Sequence, residues 1–201
     1  MVKRKTNLIL VSVLALGISG CSIGNHAVQH GENVQTFAGN IDVTDYGSAG
    51  ILDATNGNIT VSHHAQVNSA TTTNGNISIG DHSKVLSVQT TNGNILLGKN
   101  TTVIREIKNS NGNIDIGQQA KLHSSISTVT GNITIASGVV IQGDIIFQPL
   151  GFLMAKFENQ TPTLKLAKNV QLKGKIHLFR PVNLELNSAV APENIIRHYL
   201  K

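Results

Sequence analysis

The sequence predicts an all-β chain folded as a single parallel β-solenoid, with roughly triangular coils of about 18 residues. Three observations carry that prediction. A phrase of the type Asn-Gly-Asn-Ile recurs, as in "TTTNGNISIG" at 71–80 and "TTNGNILLG" at 90–98. The residue after each Gly-Asn falls at Ile41, Ile59, Ile77, Ile95, Ile114 and Ile133, at intervals of 18, 18, 18, 19 and 19. Finally, Trp is absent and aromatic residues make up 3% of the chain, so the core must be narrow and built from Ile, Val, Leu, Ala and Thr.

The first side of each coil begins after the Asn-Gly turn, where both residues tolerate positive φ. Val43, Val61, Ile79, Leu97, Ile116 and Ile135 follow the markers by two places and form a second apolar column. The second side follows a tight corner, seen in Ile79-Gly80-x-x-Ser83-x-Val85 and Leu97-Gly98-x-x-Thr101-x-Val103. Leu52 with Ala54, Val88 with Thr90 and Ile126 with Thr128 supply the third side before the next Asn-Gly. Stacked copies would lie about 4.8 Å apart, the spacing of paired strands.

After residue 135 the Asn-Gly phrase disappears while the alternation continues. Leu164-x-Leu166, Val170-x-Leu172, Ile176-x-Leu178 and Val182-x-Leu184 recur every six residues, which predicts further coils. Between the two regions, "QPLGFLMAKFENQTP" predicts an irregular coil or a protruding loop, with Phe152 and Phe157 covering the core. The solenoid is expected over 37–188. Residues 189–201, with Pro192 and "ENIIRHYLK", are expected to form a short helix that caps the last coil.

The N-terminus reads as an export signal. Lys3, Arg4 and Lys5 precede an apolar run, Leu8 to Ile18, that is short for a membrane span. Ile18-Ser19-Gly20-Cys21 resembles a bacterial lipobox. That resemblance implies a signal peptide over 1–20, peptidase recognition through Ile18, Ser19 and Gly20, and lipidation, palmitate included, of Cys21, the single cysteine of the chain. Ser22 after the cysteine implies onward transport to the outer membrane. Residues 21–36, polar and without the repeat, are expected to be the lipidated cysteine and a short tether. A disulfide is ruled out by the cysteine count.

Without the signal, thirteen Lys and Arg face eleven Asp and Glu, and the basic residues are scattered. No nucleic-acid partner is expected from that distribution. Two Asn columns flank the glycines: Asn56, Asn74, Asn92 and Asn111 before them, and Asn40, Asn58, Asn76, Asn94, Asn113 and Asn132 after them. Side-chain amides both donate and accept, so Asn58, Asn76, Asn94 and Asn113 are expected to form a structural ladder along the axis. His64 and His82 share a column, as do His63 and Asp81, which places two imidazoles and a carboxylate near one another. Solvated turn residues remain the preferred reading, with no metal and no cofactor.

"TNGNITV", "TNGNISI" and "SNGNIDI" look like the repeats of bacterial adhesin-type β-solenoid domains, and the match covers roughly 37–135. This implies a parallel β-helix with an adhesin-like role. "VVIQGDIIF" is similar to bactofilins, cytoskeletal proteins that polymerise end to end. The Ile-Gly-x-x-Ser corners are also similar to hexapeptide-repeat acyltransferases, but one side only of each early coil follows that rule. The chain is therefore expected to be a non-catalytic, membrane-anchored structural or adhesin-like module of the cell envelope. Its expected partners are the membrane, through the lipid, and an envelope protein or polysaccharide. A monomer is expected rather than a polymer, with the bactofilin-like scaffold as the alternative and acyl transfer last.

Overall fold

The computed structural model describes residues 22–151 and 160–199 of the 201. Residues Ile18, Ser19, Gly20 and Cys21 lie outside the described residues, as do Phe152 and Phe157. All strand pairings within the described residues are parallel, and no α-helix occurs among them. The chain winds as a β-solenoid of about nine coils. Its first side stacks His26, Ile41, Ile59, Ile77, Ile95, Ile114, Ile133, Leu164 and Leu184 in one column.

Alternation explains this stack. In Ile59–Val61, Ile77–Ile79 and Ile114–Ile116 the outer two residues point inward and the middle one outward. Inward members of the column are fully buried, for example Ile59, Ile77, Ile95 and Ile114 at 0% exposure. Each coil covers the apolar surface of its neighbours, so no coil could keep this core dry alone.

The second side stacks Ala49, Val67, Val85, Val103, Leu122, Ile141 and Leu172. On the third, Val34, Leu52, Ala70, Val88, Ile107, Ile126, Ile145, Ile176 and Ile195 are in register. In the early coils these two sides are one bent strand, Gln66–Asn74 and again Lys84–Asn92. Val67 and Ala70 both face inward although they are three residues apart, so the alternation must break within the strand. Later coils place Leu122 and Ile126 four apart, and the strand divides into Lys121–Leu122 and Ile126–Thr128. The change from 18 to 19 residues per coil is therefore one residue added at the corner between the second and third sides.

Four expectations need correction. The coils begin before residue 37: Ser22–Ile23 and His26–Ala38 are strands, and the stretch expected as a tether pairs with Ile41–Asn56. Gly24-Asn25-His26 is a degenerate copy of the repeated phrase, with His in place of Ile, and the interval to Ile41 is short because the corner after Val28 is cut. At the other end, the expected terminal helix is a 3-10 turn at Pro192–Asn194 followed by the strand Ile195–Arg197, which pairs with Ile176–Leu178. Pro192 does start the turn, but β-branched Ile195 and Ile196 then join an open strand edge. The last side is Leu184-x-Leu186, not Val182-x-Leu184, so the final coil is two residues longer than the six-residue rhythm predicts.

The fourth correction concerns the Asn-Gly corner. None of its asparagines has a positive φ; among the described non-glycine residues, that conformation belongs to Tyr46, His64, His82, Asn100, Gln119 and Asn169, at the corner between the first and second sides. Its glycines do take positive φ, at Gly39 (134°), Gly93 (156°) and Gly112 (126°), and close stacking requires glycine there as well. A Cβ on Gly75 would run into the carbonyl of Gly57, and one on Gly131 into that of Gly112.

Candidate functional site

Three columns of polar residues run along the corners; two accept from backbone N–H groups of the next coil and one bonds side chain to side chain. After the glycines, each side-chain oxygen accepts from the backbone N–H of the next coil. The Asn58 N–H donates to Asn40 Oδ1 at 2.9 Å, Asn76 to Asn58 at 2.8 Å, Asn94 to Asn76 at 2.7 Å and Asn113 to Asn94 at 2.8 Å. The column continues in both directions, with Asn40 on Asn25 and Thr163 on Asn132. It thus satisfies N–H groups that the corner would otherwise leave without a partner.

Before the glycines the bonds join side chain to side chain. Asn74 Nδ2 donates to Asn56 Oδ1, Asn92 to Asn74 and Asn111 to Asn92, at 2.8–2.9 Å. Thr130 closes this column through its hydroxyl on Asn111 Oδ1.

The third column contains the His and Asp residues. His63 N–H donates to Asp45 Oδ1, Asp81 N–H to His63 Nδ1, and Lys99 N–H to Asp81 Oδ1. Accepting at Nδ1 assigns His63, when neutral, its proton at Nε2. Beside it, the left-handed corner residues stack their rings. Tyr46 lies 4.9 Å from His64, and His64 lies 4.9 Å from His82, with interplanar angles of 5° and 4°. Planar side chains at this position pack face to face because successive coils present the same conformation. Among the described residues no group of three or more His, Cys, Asp or Glu is placed to hold a metal.

Some residues of consequence depart from the repeat. Arg180 is buried at 7% exposure, donating from its two terminal nitrogens to the carbonyls of Val129 and Gln160 at 3.0 Å, while its Nε has no partner. It sits where the final coil gains its two extra residues. Asn109 replaces the threonine of the column Thr72, Thr90 and Thr128 and donates to the carbonyls of Gly93 and Gly112. "KNSNGN" against "QTTNGN" displays that replacement in the sequence. Near the C-terminal end, His177 Nδ1 lies 3.0 Å from His198 Nε2, and Phe179 stacks on His198. Those contacts join different coils and leave no periodic trace.

Charge divides along the rod. Residues 22–58 hold Glu32, Asp42, Asp45 and Asp53 and no Lys or Arg. Residues 160–199 hold six Lys and Arg against Glu185 and Glu193.

Comparison with protein families, with curated proteins and with solved structures finds no match.

Proposed function

We propose that the chain is a lipid-anchored protein of the bacterial cell envelope whose solenoid serves as a non-catalytic structural or adhesin-like interaction module. The observation that carries this reading is Ile18-Ser19-Gly20-Cys21 lying directly before the first strand, Ser22–Ile23. An acylated Cys21 would fix the N-terminal end of a rod of roughly 40 Å, given about 4.8 Å per coil. The acidic end would face the membrane, and the C-terminal coils, rich in Lys and Arg, would point towards a partner. Long polar columns make the lateral faces rigid and repetitive, which suits recognition of an extended envelope protein or polysaccharide.

The test is metabolic labelling with a tagged fatty acid. Labelled protein in the membrane fraction, with label lost in Cys21→Ser, is the expected result. An unlabelled protein that keeps residues 1–20 would overturn it.

A monomeric rod is favoured over a bactofilin-like polymer by the residues at the ends. The register puts Arg197 in the column of Leu178 and Phe147, and His26 in the column of Ile41. Polar groups in apolar columns discourage a further coil from stacking there. Light scattering across a concentration series should give one constant mass, and filaments that lengthen with concentration would select the scaffold instead.

A further inference from the structure

Exposed apolar side chains are concentrated at one end of the rod. Among the described residues the large exposed hydrophobics are Ile23, Phe37, Tyr46, Ile51, Leu96 and Phe179, and four of these six lie before residue 52. Ile23 is 83% exposed, Phe37 52% and Ile51 54%. These three flank the third side, Ile23 and Phe37 at its Asn-Gly end and Ile51 at its other end. Ile23 pairs with Ala38, next to Phe37, while Ile51 immediately precedes Leu52 at the start of the same side one coil further on. Gln35 and Asp53 lie between them, bonded to each other.

Two features decide what would cover this surface. Cys21 is the residue before Ser22, itself paired with Thr36, so the attachment point is one Cα step, about 3.8 Å, from the first rung. A diacylglycerol on Cys21 could not hold the bilayer away from Ile23 and Phe37, since there is no tether between them. Second, this end carries four carboxylates and no Lys or Arg, so contact with an anionic lipid surface would be repulsive. Apolar insertion into a zwitterionic interface is what the composition allows.

We infer that Ile23, Phe37 and Ile51 form a membrane-docking edge that seats the N-terminal coils in the lipid interface and fixes the tilt of the rod. This rests on the reading of Cys21 as the lipidated residue. Single side chains of this size add modest affinity, so the edge orients a protein that the acyl chains already retain.

The chain contains no Trp, which makes Phe37→Trp and Leu96→Trp clean reporters. Both sites are half exposed, so neither change disturbs the core. The full chain, produced in a bacterial host with its signal, is purified and placed in phosphatidylcholine vesicles whose acyl chains are brominated. Phe37→Trp is expected to emit at shorter wavelength and to be quenched by the brominated lipid severalfold more than Leu96→Trp. Equal quenching of the two, with both equally open to aqueous iodide, would overturn the docking edge. Fatty-acid label is read on the same samples and judges Cys21 separately. Labelled Phe37→Trp protein whose emission is not quenched removes the edge and leaves the anchor; unlabelled protein with quenching keeps the edge and removes the anchor.

Discussion

Coils before Lys99 and coils after it share one core but close it differently at two corners. In the early coils the second and third sides are a single bent strand, and the third side meets the first through Asn-Gly. Later the bend opens by one residue, and past Asn132 the Asn-Gly corner is replaced. Asp144 then takes up a comparable task elsewhere: its Oδ1 accepts from Lys175 N–H at 2.8 Å, as its own N–H donates to Ser125. The inward columns are thus the invariant of this fold, whereas each corner needs only some group that satisfies its backbone. Corners can therefore vary in sequence and length without loss of the stack.

The largest effect should come from attacking a close approach that the early coils cannot relax. Gly75→Ala sets a Cβ against the Gly57 carbonyl, and a loss on the order of 3–5 kcal/mol is expected in urea unfolding. Gly138→Asn is the contrast. Its φ of +75° falls in the column that elsewhere holds Asn100, Gln119 and Asn169, its Cβ would meet Gln119 Cγ no closer than 3.4 Å, and stability should stay within about 0.5 kcal/mol. A severe Gly138→Asn would show that this left-handed position does not accept the side chains its column carries elsewhere.

Next, Arg180→Met removes the donors of two carbonyls in the later coils and should cost about 2–4 kcal/mol. Limited proteolysis should then cut faster at Gln160, whose carbonyl Arg180 holds. Unaltered cleavage together with unaltered stability would deny Arg180 that role.

Asn76→Ala breaks a bond that satisfies a backbone N–H, and about 1–2 kcal/mol should be lost in thermal unfolding. Asn74→Ala breaks bonds between exposed amides, one residue from the same glycine, and should cost about 0.5 kcal/mol. Equal losses would mean that the two columns do the same work.

Much of the coil was legible because periodicity survives in sequence. Columns such as Ile59, Ile77 and Ile95 recur at a constant interval and alternate within each strand, and both follow from the spacing of a stacked backbone. His63 and Asp81 were also legible as column neighbours, though their bonds to backbone N–H groups were not. Gly24-Asn25-His26 was missed because one substitution and a shortened corner hid the phrase. Ile195–Arg197 was missed because local propensity favoured a helix after Pro192, while the open edge of Ile176–Leu178 offered hydrogen bonds that a separate helix would forgo.

The sequence by itself determined the parallel solenoid, its apolar columns and the positions of its corners, because stacking identical backbones forces like residues to recur at one period. Only the tertiary structure decided which corner places non-glycine residues in the left-handed region, which glycines lie too close to the neighbouring coil for a Cβ, where the extra residue of the longer coils goes, and that Arg180 spans two coils. Those features depend on contacts between neighbouring coils, and such contacts are set by how closely two backbones approach at a corner, a distance that no single strand encodes.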